Sequence, residues 1–341
     1  EDLSQLAKIT DCVRTYSDDQ GVEQVPAIAA KYGLKVLQGI WLSGQAAKDD
    51  VQIKAGVALA KRYPDTIRAL VVGNEVLLRG EMSGPHLAAT IRAVKSQVTV
   101  PVTYADVWEF WLRNPEVAAT VDFVTIHILP YWEDVPVPAA QAATHVEAIR
   151  RQVAAAFPGK DIVIGEVGWP SAGRMREGAL PSPANQARVI QDVLALAKRE
   201  NFKVNVIESY DEPWKRASEG TVGGHWGLLG GVSRAPKFGW GQAVSNHPHW
   251  RLQAAAGVAL AILVFAAGYM QARRKKSPAM LWLPVTVNAV AGGILIGWAV
   301  ENVGLESLWL GMWVPWLARF GAAFASPVVA SAAFMARSSM P

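Results

Sequence analysis

Residues 161–173 read DIVIGEVGWPSAG. Ile162, Val163 and Ile164 are apolar and β-branched, the composition of a strand buried on both faces. Gly165 and a single carboxylate, Glu166, follow, and then Gly168, Trp169, Pro170, Ser171 and Gly173 stop the strand at once. A charge at the end of a buried strand is costly unless it is paired or used. In a parallel α/β barrel that end is where reactive groups collect.

A second stretch has the same grammar. Residues 67–75, IRALVVGNE, form an apolar run ending in Gly73, Asn74 and Glu75. Working outward, strand-like runs at 11–16, 34–42, 67–75, 100–106, 121–129, 161–169 and 203–210 alternate with helical segments at 22–32, 48–63, 85–97, 114–119, 139–156 and 183–200. Such alternation is the signature of βα units and a parallel sheet. The expected fold is a (β/α)8 TIM barrel whose first strand is missing from this chain, since seven runs are visible and the chain opens on a helix. An open doubly wound sheet is the rival. It fits less well, because no glycine-rich loop follows the first strand and the two glutamates end well-separated strands.

The carboxyl ends of these runs share a character. They carry Tyr16, Trp41, Asn74 and Glu75, Asp106 and Trp108, Tyr131 and Trp132, Glu166 and Trp169, then Tyr210, Asp211, Glu212, Trp214 and Lys215. One rim therefore gathers acids and flat rings. Rings cover the C–H faces of sugars, and acids and amides take their hydroxyls. Two glutamates delivered to that rim are what cleavage of a glycosidic bond requires.

Composition divides the chain. Of 341 residues 51% are hydrophobic, unevenly spread. Residues 1–235 read as a water-soluble barrel domain, 236–251 as a linker and 252–336 as transmembrane helices near 252–271, 280–300 and 309–334. Arg319 falls inside the third and must snorkel, pair with an acid, or mark a tilted or interrupted segment. Arg273, Arg274, Lys275 and Lys276 between the first two spans place that loop in the cytoplasm by the positive-inside rule, and the barrel on the opposite face. The net charge of +4 gives no reason to expect nucleic acid. Cys12 is the only cysteine, so no intrachain disulfide forms. His247 and His249 have metal-ligand spacing but no evident third ligand, and neither a metal nor a cofactor is expected. The opening on EDLSQLAKI, with no initiator methionine, reads as a chain with something upstream.

These motifs resemble the family 17 glycoside hydrolases, the β-1,3-glucanase group, over residues 1 to about 235. VVGNE at 71–75 is similar to that family's acid/base strand and IGEVGWPSAG at 164–173 to its nucleophile strand. YDEPWK at 210–215 and HWGLL at 225–229 resemble its later segments. The resemblance implies Glu75 as general acid/base and Glu166 as nucleophile, with Asn74 on the sugar 2-hydroxyl. It implies Glu212, Lys215 and Glu219 as a supporting charge network, with Tyr16 and Tyr131 near the nucleophile. Asp106, Trp132 and Trp169 join them as candidate substrate-binding residues. It also implies a β-glucan substrate and, for bacterial members with membrane helices, glucan remodelling by transfer beside a β-glucan-synthesising glycosyltransferase, fused or associated. The expectation is thus a retaining transglycosylase in a bacterial inner membrane, its barrel periplasmic. Simple endo-hydrolysis and a catalytically silent glucan-binding domain are the alternatives.

Overall fold

The computed structural model describes residues 1–272 and 282–337. Strands β1 (Cys12–Arg14), β2 (Lys35–Ile40), β3 (Ile67–Asn74), β4 (Val102–Val107), β5 (Val124–His127), β6 (Ile162–Val167) and β7 (Val204–Val206) lie side by side in chain order, all parallel. They wrap into a nearly closed TIM-like barrel. Parallel neighbours cannot be joined by a hairpin, so the chain must cross over between strands. The barrel's helices, in chain order, are α1 (Asp2–Leu6), α2 (Val25–Lys31), α3 (Ala46–Arg62), α4 (Gly84–Lys95), α5 (Trp108–Arg113), α6 (Pro115–Ala118), α7 (Ala142–Ala156), α8 (Pro183–Glu200) and α9 (Arg216–Glu219).

Burial follows from that architecture. In β3 every residue but Arg68 is buried, because one face fills the barrel and the other lies under helices. Leu70, Val72, Tyr104, Ile126, Ile164 and Val167 belong to one continuous apolar core. A side chain at Gly39 would place its Cβ 2.4 Å from the Thr15 carbonyl, so glycine lets β2 and the end of β1 close together.

Among the described residues no strand pairs the outer edges of β1 and β7. Helix α1 reaches across that side: Tyr210 Oη, beyond β7, donates to Gln5 Oε1 at 3.1 Å, and Arg234 pairs with Asp2 at 3.3 Å. Every strand but β4 ends short of the sequence reading. The fourth run turns directly into α5, which that reading left unassigned.

The segment expected as a linker is laid along the barrel. Lys237 Nζ pairs with Asp211 at 2.5 Å, Gly241 N donates to Gln191 Oε1 at 2.6 Å, and Ala184 N, at the start of α8, donates to Asn246 Oδ1 at 3.0 Å. Beyond it come α10 (Trp250–Ala272), α11 (Trp282–Val303) and α12 (Val314–Arg337). Among the described residues, α10 and α11 are the two helices long and apolar enough to cross a membrane. They approach through glycine: a Cβ at Gly293 would lie 2.5 Å from the Ala256 carbonyl. The range of the third expected span holds a short 3-10 turn (Leu310–Trp313) followed by α12, which contains Pro327. Arg319 lies over the Trp316 ring, 4.6 Å from its centroid. The basic cluster at 273–276 falls outside the described residues.

Candidate active site

Glu75 stands one residue past β3, and its N–H donates to the Ala105 carbonyl at 2.8 Å, which pins it to the neighbouring strand. Its φ of 52° is left-handed, and Gly73 two residues before has φ 89°. The strand thus twists sharply as it delivers the carboxylate. Glu166 lies inside β6 and is 5% exposed. His127, ending β5, sits between them: Nδ1 is 2.8 Å from Glu75 Oε1 and Nε2 is 3.5 Å from Glu166 Oε1. One oxygen of each glutamate and a His127 nitrogen all lie within 4.8 Å of one another.

Arg14, on β1, organises this group. Its Nη1 donates to Glu166 Oε1 at 3.3 Å and to the Gly165 carbonyl at 2.8 Å, and reaches His127 Nε2 at 3.2 Å. A guanidinium can only donate. Nε2 therefore accepts, the imidazole proton sits on Nδ1, and His127 donates to Glu75. Burial pushes His127 down to about 4, against the pull of the Glu166 charge, so the ring is neutral near neutral pH. Nη2 of Arg14 donates to Asn74 Oδ1, which identifies the other amide atom of Asn74 as the N–H2 donor. Tyr16 Oη donates to Glu166 Oε1 at 2.8 Å; burial and the Glu166 charge hold its hydroxyl well above the ordinary tyrosine value. Burial also raises Glu75, opposed by Arg14 and Arg79. Glu75, His127 and Glu166 are metal-ligand types in reach of one another, but Arg14 already places a fixed cation against two of them.

The barrel holds the remaining expected residues differently. Asp106 is 0% exposed. Its carboxylate accepts from Tyr104 Oη and from the backbone of Val107 (2.7 Å) and Leu78 (3.4 Å), so it braces the β3 and β4 ends instead of binding substrate. Trp169 is likewise sealed, with Nε1 donating to the Leu180 carbonyl at 3.0 Å. Tyr131 is 2% exposed and donates to the Arg174 carbonyl at 2.7 Å. Tyr131 meets Trp169 edge-on at 6.1 Å and Trp132 edge-on at 4.9 Å, and Trp132 is 40% exposed and stacks on Trp226 at 6.4 Å. Trp169 and Tyr131 are thus sealed, whereas Trp132 presents a face. Lys215 pairs with Glu212 at 2.8 Å and also with Glu208. Burial opposes the charge on Lys215, but its bonds to the two carboxylates prevail and raise it. Burial pushes Glu208 to about 7, opposed by Lys215. Burial raises Glu219 too, and the charges of Glu166 and Glu75 add to it.

Two glutamates this close at the carboxyl ends of β3 and β6 are built for glycosidic chemistry. Residues 1–227 match the sequence family described as the BtgE/BtgC glycoside hydrolase domain. The chain belongs to this family, and with it to glycoside hydrolase family 17. It is 29% identical over 259 residues to a glucan 1,3-beta-glucosidase of Arthroderma benhamiae, covering 70% of this chain and 82% of that one. A glucan 1,3-beta-glucosidase of Schizosaccharomyces pombe is 28% identical over 236 residues, covering 63% and 72%. An active-site mutant of the Rhizomucor miehei β-1,3-glucanosyltransferase, solved with laminaritriose, superposes with a TM-score of 0.64 at 27% identity, covering 70% of this chain and 90% of that one.

Sequence reasoning missed four members of this family 17 site. Arg14 and His127 each stand alone in a short apolar strand, where one reads as outward-facing and the other as core. Glu208 and Trp226 carry no local signal beyond lying near YDEPWK and within HWGLL. Period-two alternation from Tyr16 back to Arg14 was the one available cue, since it puts both on the same strand face.

Proposed function

We propose that this chain is a membrane-held, retaining β-1,3-glucan transglycosylase. The observation that carries the reading is the Glu75–His127–Glu166 group, with its facing oxygens within 4.8 Å. Retaining enzymes hold their carboxyl groups about 5–5.5 Å apart, and inverting ones about 6.5–9.5 Å. Glu166, held in place by hydrogen bonds from Arg14 and Tyr16, attacks the anomeric carbon while Glu75 gives its proton to the departing glycosidic oxygen. This leaves a glycosyl ester on Glu166. A hydroxyl of a second glucan, losing its proton to Glu75, then attacks that ester and frees Glu166. His127, donating to Glu75 Oε1, leaves Oε2 for the travelling proton.

Transfer is favoured over hydrolysis by the likeness to a β-1,3-glucanosyltransferase and by α10 and α11, which would hold the barrel at a bilayer where nascent glucan emerges. The basic residues 273–276 support a bacterial inner-membrane location with the barrel periplasmic. A β-glucan-synthesising glycosyltransferase is then the natural neighbour.

Product analysis tests the reading. Purified chain incubated with laminari-oligosaccharides should yield products longer than the input. Exclusively shorter products would leave a hydrolase. Glu166→Gln should abolish both, and a variant that still turned over would remove Glu166 from its role.

A further inference from the structure

The connection between α11 and α12 rests on the catalytic rim. Arg174, directly after the glycine that closes the β6 motif, donates through Nε to the Glu306 carbonyl at 2.8 Å. Arg216, the first residue of α9, donates through Nη2 to the carbonyls of Gly304 (2.9 Å), Leu305 (3.2 Å) and Ser307 (3.1 Å). Two guanidinium groups thus satisfy four backbone carbonyls in the turn that follows α11. Ser307 is 8% exposed there. The Glu306 carboxyl is partly buried too, within the fields of Arg319 and Arg174.

Both anchors adjoin the site. The carbonyl of Arg174 accepts Tyr131 Oη, the phenol beneath Trp132, and its N–H donates to Thr221 Oγ1 at 3.0 Å. Arg216 follows Lys215, which binds Glu208 and Glu212. Helix direction agrees: α10 leaves the barrel at Trp250, and α11, packed against it, returns the chain to the barrel side before residue 304.

We propose that the 304–309 connection is a wall of the glucan cleft, clamped by Arg174 and Arg216, and that it limits how long a chain the cleft accepts on its β6–β7 side. Arg174 and Arg216 are positioning residues, acting through the wall they hold. The inference rests on the glucan reading above for the identity of what fills the cleft.

The test uses the full chain in detergent micelles, with Cys12 replaced by alanine and spin labels at Val232→Cys and Leu310→Cys. Both labelled positions are exposed, at 96% and 82%. The label distance should be narrowly distributed, and Arg174→Ala/Arg216→Ala should broaden it. Across laminari-oligosaccharides of increasing length, the double variant should change KM for the longer donors by about fivefold or more, with little change in kcat, because several charge-assisted hydrogen bonds are lost. Arg174→Lys/Arg216→Lys should restore part of the narrow distribution. A distribution that stays narrow in the alanine variant overturns the clamp. A broadened distribution with an unaltered length profile overturns the wall. Wild-type chain inert on these sugars would overturn the substrate reading instead, and the label distances, which need no turnover, tell the two failures apart.

Discussion

At the residue scale the site is an arrangement of protons. The proposed chemistry needs a proton on Glu75; burial favours it there, while the charge of Arg14 and the hydrogen bond from His127 oppose it. Burial raises Glu75, so the alkaline limb of the pH–rate profile should lie above the ordinary glutamate value of about 4.3. His127 donates to the ionised form of Glu75 and so favours it. His127→Leu should therefore move that limb to higher pH, while Glu75→Gln should lower kcat by about 10²–10⁴-fold. Asp18 makes a separate prediction. It is 3% exposed, and burial, aided by Asp19, pushes it to about 7. The folded chain then keeps a proton that the unfolded chain releases near pH 4, so stability falls as pH rises from about 4 through 7. Asp18→Asn removes that dependence. Its melting temperature should exceed the wild type's at pH 8, and the gap should close near pH 4. The two acids were legible because each ends an apolar run at a glycine. Asp106 shows the limit of that signal: a carboxylate turned inward onto Tyr104 looks the same in sequence as one turned toward a ligand.

At the scale of elements, parallel strands and crossover helices followed from alternating composition. The α8 reading at 183–200 coincides with the observed helix, helped by the Ser182 cap, whose Oγ accepts from Asn185 N at 3.1 Å. Strand ends were overrun because apolar residues continue past the last ladder bond into packed loops. The turn into α5 was hidden for the same reason: Trp108, Phe110 and Trp111 are as suited to a strand as to a buried helix. The packing of β2 against β1 gives a test. Gly39→Ala forces a methyl against the Thr15 carbonyl, so thermal unfolding should report a loss of about 1–3 kcal/mol or more. An unchanged melting temperature would mean the two strands can separate without penalty.

At the scale of the whole molecule, two bodies were legible and their joint was not. Composition alone set the barrel apart from the apolar helices that follow it. That the 304–309 turn sits on the catalytic rim depends on backbone carbonyls, which no side-chain pattern reports. A chain ending after His249 keeps Asn246 on α8 and should stay in the aqueous phase when mixed with lipid vesicles, whereas the full chain should float with them. Flotation of both would deny α10 and α11 their anchoring role. On short laminari-oligosaccharides the truncated chain should keep its turnover. Glu75 and Glu166 are carried by β3 and β6 of one ladder, with β4 and β5 paired between them, so two intervening strands fix the spacing that decides stereochemical outcome. Arg14, on β1, and Tyr16, just past it, reach Glu166 from outside that run. Substitutions that loosen β1 should therefore slow turnover and leave the anomeric configuration of the product preserved.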